Sequence, residues 1–380
     1  MTQKKKIMAQ DWTVQDQEKS SSVLEKCAGI NDFLADMMDQ FDFTPSAAIA
    51  ETAPLQDARI AAATFAVADL YVSATGRDSN PGTYDQPLAT ITRAVALSDP
   101  GDVVSVRGGT YKAIANIWKG GTKDNPLTIQ AQAGETVILD GKGLASNKDL
   151  VSITASYVTF DGFDVRNATR SGISVYAAHD VTISNNEVEN SKRNGIWIGG
   201  GREGQSYNQV VENNVVHDNV LENSAKNWSG GWARGIAIDV TTNSVIRDNM
   251  VYDNYGEGFG GLSSSRLSFV GNTAHDNYSV QMYFDNSQYI TARDNLVFHT
   301  GDRDYYRSGK PGTGILIANE YTEFQKRSIG YVVTDNTLAG VGAPKYDGSY
   351  GWGGGLSNST IASNEILSAA AVQSDWTYLG

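Results

Sequence analysis

Apolar and polar positions alternate over short runs, and the alternation repeats. Three eight-residue blocks begin at Ser244, Leu267 and Ile290: Ser-Val-Ile-Arg-Asp-Asn-Met-Val, Leu-Ser-Phe-Val-Gly-Asn-Thr-Ala and Ile-Thr-Ala-Arg-Asp-Asn-Leu-Val. Each carries an apolar residue at its third position, Asn at its sixth and a small or apolar residue at its eighth. The same block recurs at 158–165, 181–188, 209–216, 331–338 and 359–366. Asn fills the sixth position at 186, 214, 249, 272, 295, 336 and 364, and Phe163 takes it in the first block. After each block comes a second short run: Gly172-Ile-Ser-Val, Gly195-Ile-Trp-Ile, Gly235-Ile-Ala-Ile, Gly258-Phe-Gly-Gly, Gln281-Met-Tyr-Phe, Gly314-Ile-Leu-Ile and Gly354-Gly-Leu. Period-2 runs predict strands, and a self-similar period of this length predicts stacked coils. In such a stack the Asn residues form an internal ladder, because a buried amide needs partners.

Stacking also aligns polar columns. Asp218, Asp253 and Asp276 fall in one, Asn219, Asn254 and Asn277 in the next, and His217, Tyr252, His275 and Phe298 in a third. An aspartate column either caps turns or holds calcium, which takes about six to eight oxygens. Arg234 and Glu257 become neighbours in adjacent coils, either as a surface ion pair or as part of a site. Asp239 and Asp285 share an outward column two coils apart, ~9.6 Å at the backbone. That spacing suits the two carboxyls of an inverting glycoside hydrolase, or, as metal ligands, a divalent cation beside an acidic sugar.

The stretch before the first coil has its own pattern. Leu70-Tyr-Val reads as a strand and Asn80-Pro-Gly as a turn. Leu88, Ile91, Ala94 and Val95 give the buried face of a short helix, and Pro100-Gly-Asp turns into Val103-Val-Ser-Val. An amphipathic helix there caps the exposed end of the solenoid. This pattern closely resembles the opening segment of right-handed parallel β-helix proteins of the pectate-lyase-like superfamily, including family 9 pectate lyases. With the repeats, the resemblance covers about residues 69–370. It implies an all-β, right-handed parallel β-helix with an N-terminal capping helix. Residues 1–68 form a separate extension, with an amphipathic helix over Ser20 to Phe41 and an Ala-rich linker, which serves as a packed tail or as a docking or export helix.

The long insertions fall at 219–234, 300–313 and 340–353, along one edge of the predicted stack, where loops can wall a groove. They bring Lys226, Trp228 and Trp232, then Tyr305, Tyr306, Arg307 and Lys310, then Trp352. Aromatic faces stack on sugars and cations pair with uronates. With Tyr283 and His299 beside them, these residues make up the candidate substrate-binding set. The resemblance implies a polysaccharide-active enzyme, and a lyase acting on an acidic, uronate-containing polymer by β-elimination is the leading reading. Its chemistry asks for a neutraliser, a base and an acid. Arg234, Arg307 or Lys310 would be base or neutraliser, Tyr306 or His299 the acid, and Asp239, Glu257 and Asp285 metal ligands or orienting carboxylates. Calcium is a candidate cofactor. The clustered calcium aspartates and catalytic lysine of family 9 are not matched in context. An inverting glycoside hydrolase using Asp239, Glu257 or Asp285, a uronate epimerase, and a non-catalytic carbohydrate-binding or adhesive β-helix stand as alternatives.

Composition narrows the field further. The net charge of −13 disfavours nucleic acid as the main partner. A single cysteine excludes a disulfide framework. No apolar run approaches the ~18–20 residues needed to span a bilayer. The basic start is not followed by the apolar core of a secretory leader, although the fold by analogy favours an extracellular setting.

Overall fold

The computed structural model describes residues 68–320, 326–346, 350–351 and 356–369. The predicted helix over Ser20 to Phe41 lies outside the described residues. Every named strand pairing is parallel, and the strands form three long sheets of 12, 10 and 9 strands. Each coil contributes one strand to each sheet, so the chain winds as a right-handed three-sided solenoid.

Three strands per coil, rather than two, is a correction to the reading of the repeat. Each eight-residue block is not one strand but two, broken by a corner at its fifth and sixth positions. Thr241–Arg247 belongs to the 12-stranded sheet and Met250–Tyr252 to the 10-stranded sheet. The fifth position turns the chain in the left-handed region at Asn185, Asn213, Asp248, Gly271, Asp294, Asp335 and Ser363. Asn, Asp and Gly tolerate that conformation best, which is why this position is almost never apolar. The runs that follow the blocks, such as Arg234–Asp239, Glu257–Leu262, Val280–Asp285 and Thr313–Asn319, form the 9-stranded sheet. This third sheet carries the groove described below.

Three apolar columns fill the interior, one from each sheet. Ile183, Val211, Ile246, Phe269, Ala292 and Val333 stack in register in the first. Val188, Val216, Val251, Ala274, Val297 and Leu338 stack in the second, and Ile196, Ile236, Phe259, Met282 and Ile315 in the third. All are fully buried.

The Asn ladder runs through the corner between the first two sheets. Asn186 donates Nδ2 to Asn214 Oδ1 at 3.0 Å, and Asn214 to Asn249, Asn249 to Asn272, Asn272 to Asn295, Asn295 to Asn336 and Asn336 to Asn364 follow at 2.8–3.0 Å. Each Oδ1 also accepts the backbone N–H of the preceding rung, so the buried amide oxygens are doubly satisfied. A second ladder, Asn219 to Asn254 to Asn277 to Gln281, lines the next corner.

The N-terminal cap is the helix Ile91–Leu97, with Ile91, Ala94 and Val95 buried. Thr90 caps it by accepting from Arg93 N, and Asp78 in turn holds Thr90. Leu88 packs one turn earlier than expected, outside the helix, bridged to Val72. No helix among the described residues is long and apolar enough to cross a membrane.

Candidate functional site: a carboxyl-lined groove on the third sheet

Outward positions of the third sheet are buried where the chain inserts loops above them. Ala237, Gly260, Tyr283 and Leu316 occupy one outward row. The glycine in that row has a specific role: a Cβ at Gly260 would lie 2.1 Å from Arg234 Cδ and 2.3 Å from Nε. Arg234 therefore lies directly over the Gly260 backbone. From there Nε donates to Glu257 Oε2 at 2.8 Å and Nη1 donates to Asp239 Oδ1 at 2.7 Å. The three side chains are only 12 %, 6 % and 18 % exposed, so this is a buried bridge and not a surface ion pair.

Asp239, Leu262 and Asp285 pair across successive strands. Asp239 takes a second bond from Trp197 Nε1 at 2.9 Å, and Asp285 Oδ1 accepts from Glu320 N at 3.0 Å. These groups line a cavity of about 490 Å³ whose rim adds Arg193, Trp232, Arg307 and Lys345. Tyr283 and the Glu320 carboxylate line the same cavity. Arg307 stands 4.3 Å over the Trp232 ring.

Four carboxyls, Asp239, Glu257, Asp285 and Glu320, thus line the cavity, and the buried guanidinium bonds only Asp239 and Glu257. The imbalance sets the protonation. Burial pushes Asp285 up to about 6, against the lowering effect of the Glu320 N–H. Burial also raises Glu257, with Arg234 opposing it. Burial alone would lower Arg234, but Asp239 and Glu257 override it and hold the guanidinium protonated. Burial and the Asp285 charge raise Tyr283 far out of the working range.

Of the residues singled out from sequence, Arg234, Asp239, Glu257, Asp285, Tyr283, Trp232 and Arg307 meet in this cavity. Four others gather at the corner between the second and third sheets. Tyr305 is buried, 5.4 Å from the Tyr255 ring, with its hydroxyl 3.4 Å from Asp218. Tyr306 packs edge-on against His299, which pairs with Asp276. Lys226 pairs with Asp304. These residues hold the 300–313 loop down on the coils, because the loop's aromatics find buried surface there and not over the cavity. Trp228 and Lys310 are exposed on their loops, outside the cavity lining. Trp352 lies outside the described residues.

Sequence reasoning missed Trp197, Glu320, Arg193 and Gly260. Trp197 was legible as an apolar side chain at an outward position of Gly195-Ile-Trp-Ile. Gly260 stands where neighbouring coils carry Ala or Tyr, a gap that only the Arg234 contact explains.

The groove does not fit the calcium ion set against Asp239 and Asp285. Asp239 already pairs with the Arg234 guanidinium, whose positive charge opposes a second cation there, and Asp285 stands two strands away, ~9.6 Å at the backbone. One acidic and histidine group among the described residues does converge, Asp253 with His275 and Asp276, at the other corner. There Asp276 is already engaged by His275, His299 and the Thr300 N–H. The aspartate column instead makes turns, with Asp218, Asp253 and Asp276 all in the left-handed region.

The buried groups give stability a definite pH dependence. Burial, then Asp276 and Asp218, push Asp253 up to about 7. Asp253, Asp285 and Glu257 therefore keep protons in the fold that the unfolded chain has released, and each costs stability as pH rises through its window. Burial would lower His217, but Asp218 and Glu187 push it up to about 9. Its contribution is complete below 6.5 and is lost as pH rises through about 9. All four act in one direction, so the thermal midpoint is expected to fall by about 5 °C or more between pH ~5.5 and ~9. Asp276 acts oppositely: burial raises it, but His275 and His299 hold it far below the usual range, so stability falls again in strong acid. Calorimetry across this range measures both limbs; a midpoint that rises toward pH 9 would contradict the assignment.

Comparison with known proteins places this architecture. A 79-residue segment is 44% identical to the pectate lyase PEL9 of Emericella nidulans, over 20% of this chain and 19% of that protein. A 118-residue segment is 28% identical to the uncharacterized protein YwoF of Bacillus subtilis, over 29% of this chain and 25% of that one. The chain thus spans about a fifth to a quarter of these relatives' length. The crystal structure of pectate lyase Pel9A superposes with a TM-score of 0.54 at 17% identity, covering 78% of each chain, which is a likeness of fold. The family profile described as Pel9A-like, right handed beta helix region, matches residues 70–358. Three parallel sheets, the capped first coil and this match over most of the chain agree, and the chain belongs to the Pel9A-like right-handed β-helix family.

Proposed function

We propose that the third-sheet groove cleaves glycosidic bonds of a polysaccharide by acid–base chemistry between paired carboxyl groups. The observation that carries this is the Asp239–Asp285 pair, set two strands apart in one column with contrasting surroundings. A backbone separation of ~9.6 Å across Leu262 suits the wider carboxyl spacing that inversion requires. Asp285 keeps its proton up to about 6 and can give it to the leaving oxygen. Asp239, ion-paired to Arg234 and held by Trp197, is positioned to draw a proton from water. The proton given by Asp285 returns to the site from the attacking water, through Asp239 and solvent.

Arg234 is placed to hold these carboxyls and not to act as a base, since two carboxylates keep it charged. Those same carboxylates already compensate its charge, so it has little left for a uronate. A second reading, β-elimination on a uronate polymer, draws support from family membership and from Arg307 and Lys345 at the rim. There the rim cations meet the uronate carboxylate, Glu257 or Asp239 takes the C5 proton as the C4–O bond breaks, and Asp285 gives a proton to the leaving oxygen.

One assay separates the readings. Release of reducing ends from a panel of neutral and acidic polysaccharides without absorbance near ~235 nm, the unsaturated-product band expected of β-elimination, supports hydrolysis. Absorbance rising with the new ends supports elimination. Binding without either would sink both in favour of a carbohydrate-binding β-helix.

A further inference from the structure

The column that carries Asp239 and Asp285 does not stop at the cavity. Toward the N-terminal coils, Asp239 pairs with Gly199 and Gly199 with Tyr176. Val175 and Ile117 both pair with Ile153, so the next residues, Tyr176 and Trp118, flank Thr154 from either side. The ladder bond from Thr154 N to Ile117 O keeps that register. The outward column thus reads Asp239, Gly199, Tyr176, Thr154, Trp118.

Its surface is aromatic. Trp118 is 51% and Tyr176 47% exposed, among the most exposed large apolar side chains. Trp197 closes the gap between Tyr176 and the carboxyls. A Cβ at Gly199 would meet Trp197 Cζ2 at 2.7 Å, so the indole lies over the bare backbone there. Its ring stands 6.1 Å from that of Tyr176 at an interplanar angle of 17°. The same indole donates to Asp239, which makes the platform continuous with the catalytic floor. Isolated exposed aromatics need no explanation, but aromatics in one register column, leading to a polar cavity, do.

We propose that a polysaccharide runs along the solenoid axis from Asp239 over Trp197, Tyr176 and Trp118, and that this arm takes uncharged pyranose residues. The inference rests on the reading that the groove binds a polysaccharide. Four strand steps separate Trp118 from Asp239, roughly 19 Å. An extended sugar chain advances about one residue per strand spacing of ~4.8 Å, so the arm holds about four sugars. None of the column residues beyond Asp239 is a carboxylic acid or a basic side chain. The nearby guanidinium of Arg170 is paired with Asp149, and that of Arg193 with Glu222. The arm therefore offers ring faces, with the guanidiniums of Arg170 and Arg193 already paired, which favours sugars presenting C–H faces.

The test is native affinity electrophoresis of the full chain carrying Asp285→Asn, so that polymer is not cut. Gels contain β-glucan, xylan, mannan or galactan, and pectate or alginate for comparison. Retardation by at least one neutral polymer is expected, weakened about three- to tenfold by Tyr176→Ala and by Trp118→Ala. The thermal midpoint should hold, since both side chains are exposed. In the otherwise unaltered chain, the same two substitutions should raise KM for long polymer and leave a two-sugar fragment unaffected. Retardation that ignores both substitutions would overturn the arm while leaving the polysaccharide reading intact. Retardation by pectate or alginate alone would overturn its preference for uncharged sugars. No retardation by any polymer in the panel, with no cleavage, would remove both the arm and the reading it rests on.

Discussion

Asp285→Asn is expected to lower turnover about 10²–10⁴-fold, the usual contribution of a positioned proton donor, while leaving the fold as stable or more so. Asn preserves the size of the side chain and, through Oδ1, the acceptor for the Glu320 N–H. It removes a carboxyl that burial already holds partly protonated, so above pH ~6 the variant loses a desolvation cost. The alkaline limb of kcat/KM near pH 6 should vanish with the side chain. Rate profiles against pH with calorimetry on the same samples check both halves. A variant with unchanged rate would assign the proton to another group; one that loses rate and stability together would make Asp285 structural.

The second large effect is at Arg234. Arg234→Met leaves Glu257 and Asp239 facing each other, largely buried, without their guanidinium. Breaking a buried ion pair by deleting one partner costs about 3–5 kcal/mol. The deficit should be greatest near pH 8 and shrink toward pH 5, where the abandoned carboxyls take up protons. Urea unfolding at the two pH values measures it. Arg234→Lys should rescue little, because one ammonium does not reproduce a fork that spans two carboxylates. Gly260→Ala reaches the same site from below: its methyl would displace the guanidinium without altering its charge. Activity is expected to fall about 100-fold or more in both Arg234→Met and Gly260→Ala, since a misplaced group costs that much. Equal activity in Gly260→Ala would show that the bridge is dispensable.

Much of this fold was legible from the chain because stacking converts sequence spacing into contact. Once the blocks were aligned, the Glu257 neighbour of Arg234, the Asp239–Asp285 column and the Asn rungs followed from counting. What counting leaves out is how a coil bends and where a loop lands. The corner inside each block was missed because a continuous apolar–polar run disguises two short strands joined at Asp248 and Asn249. The 300–313 loop was read as a groove wall, yet Tyr305 and Tyr306 turn to the opposite corner, where Tyr255 and His299 offer buried surface. Only Arg307 from its cations reaches the cavity. Trp197 lay outside the inserted loops, where no length anomaly drew attention to it.

The Asn ladder also bears on how such a chain changes size. Every rung gives its amide hydrogen to the next coil and accepts from the one before, in a single direction along the axis. A rung therefore has the same partner geometry wherever it stands. Gain or loss of one whole coil rejoins donor to acceptor, and partial gain or loss strands an amide in the interior. Duplication and deletion are thus quantised. The solenoid can lengthen its binding face by one strand spacing at a time without redesigning its corners, while additions of any other length are confined to the loops.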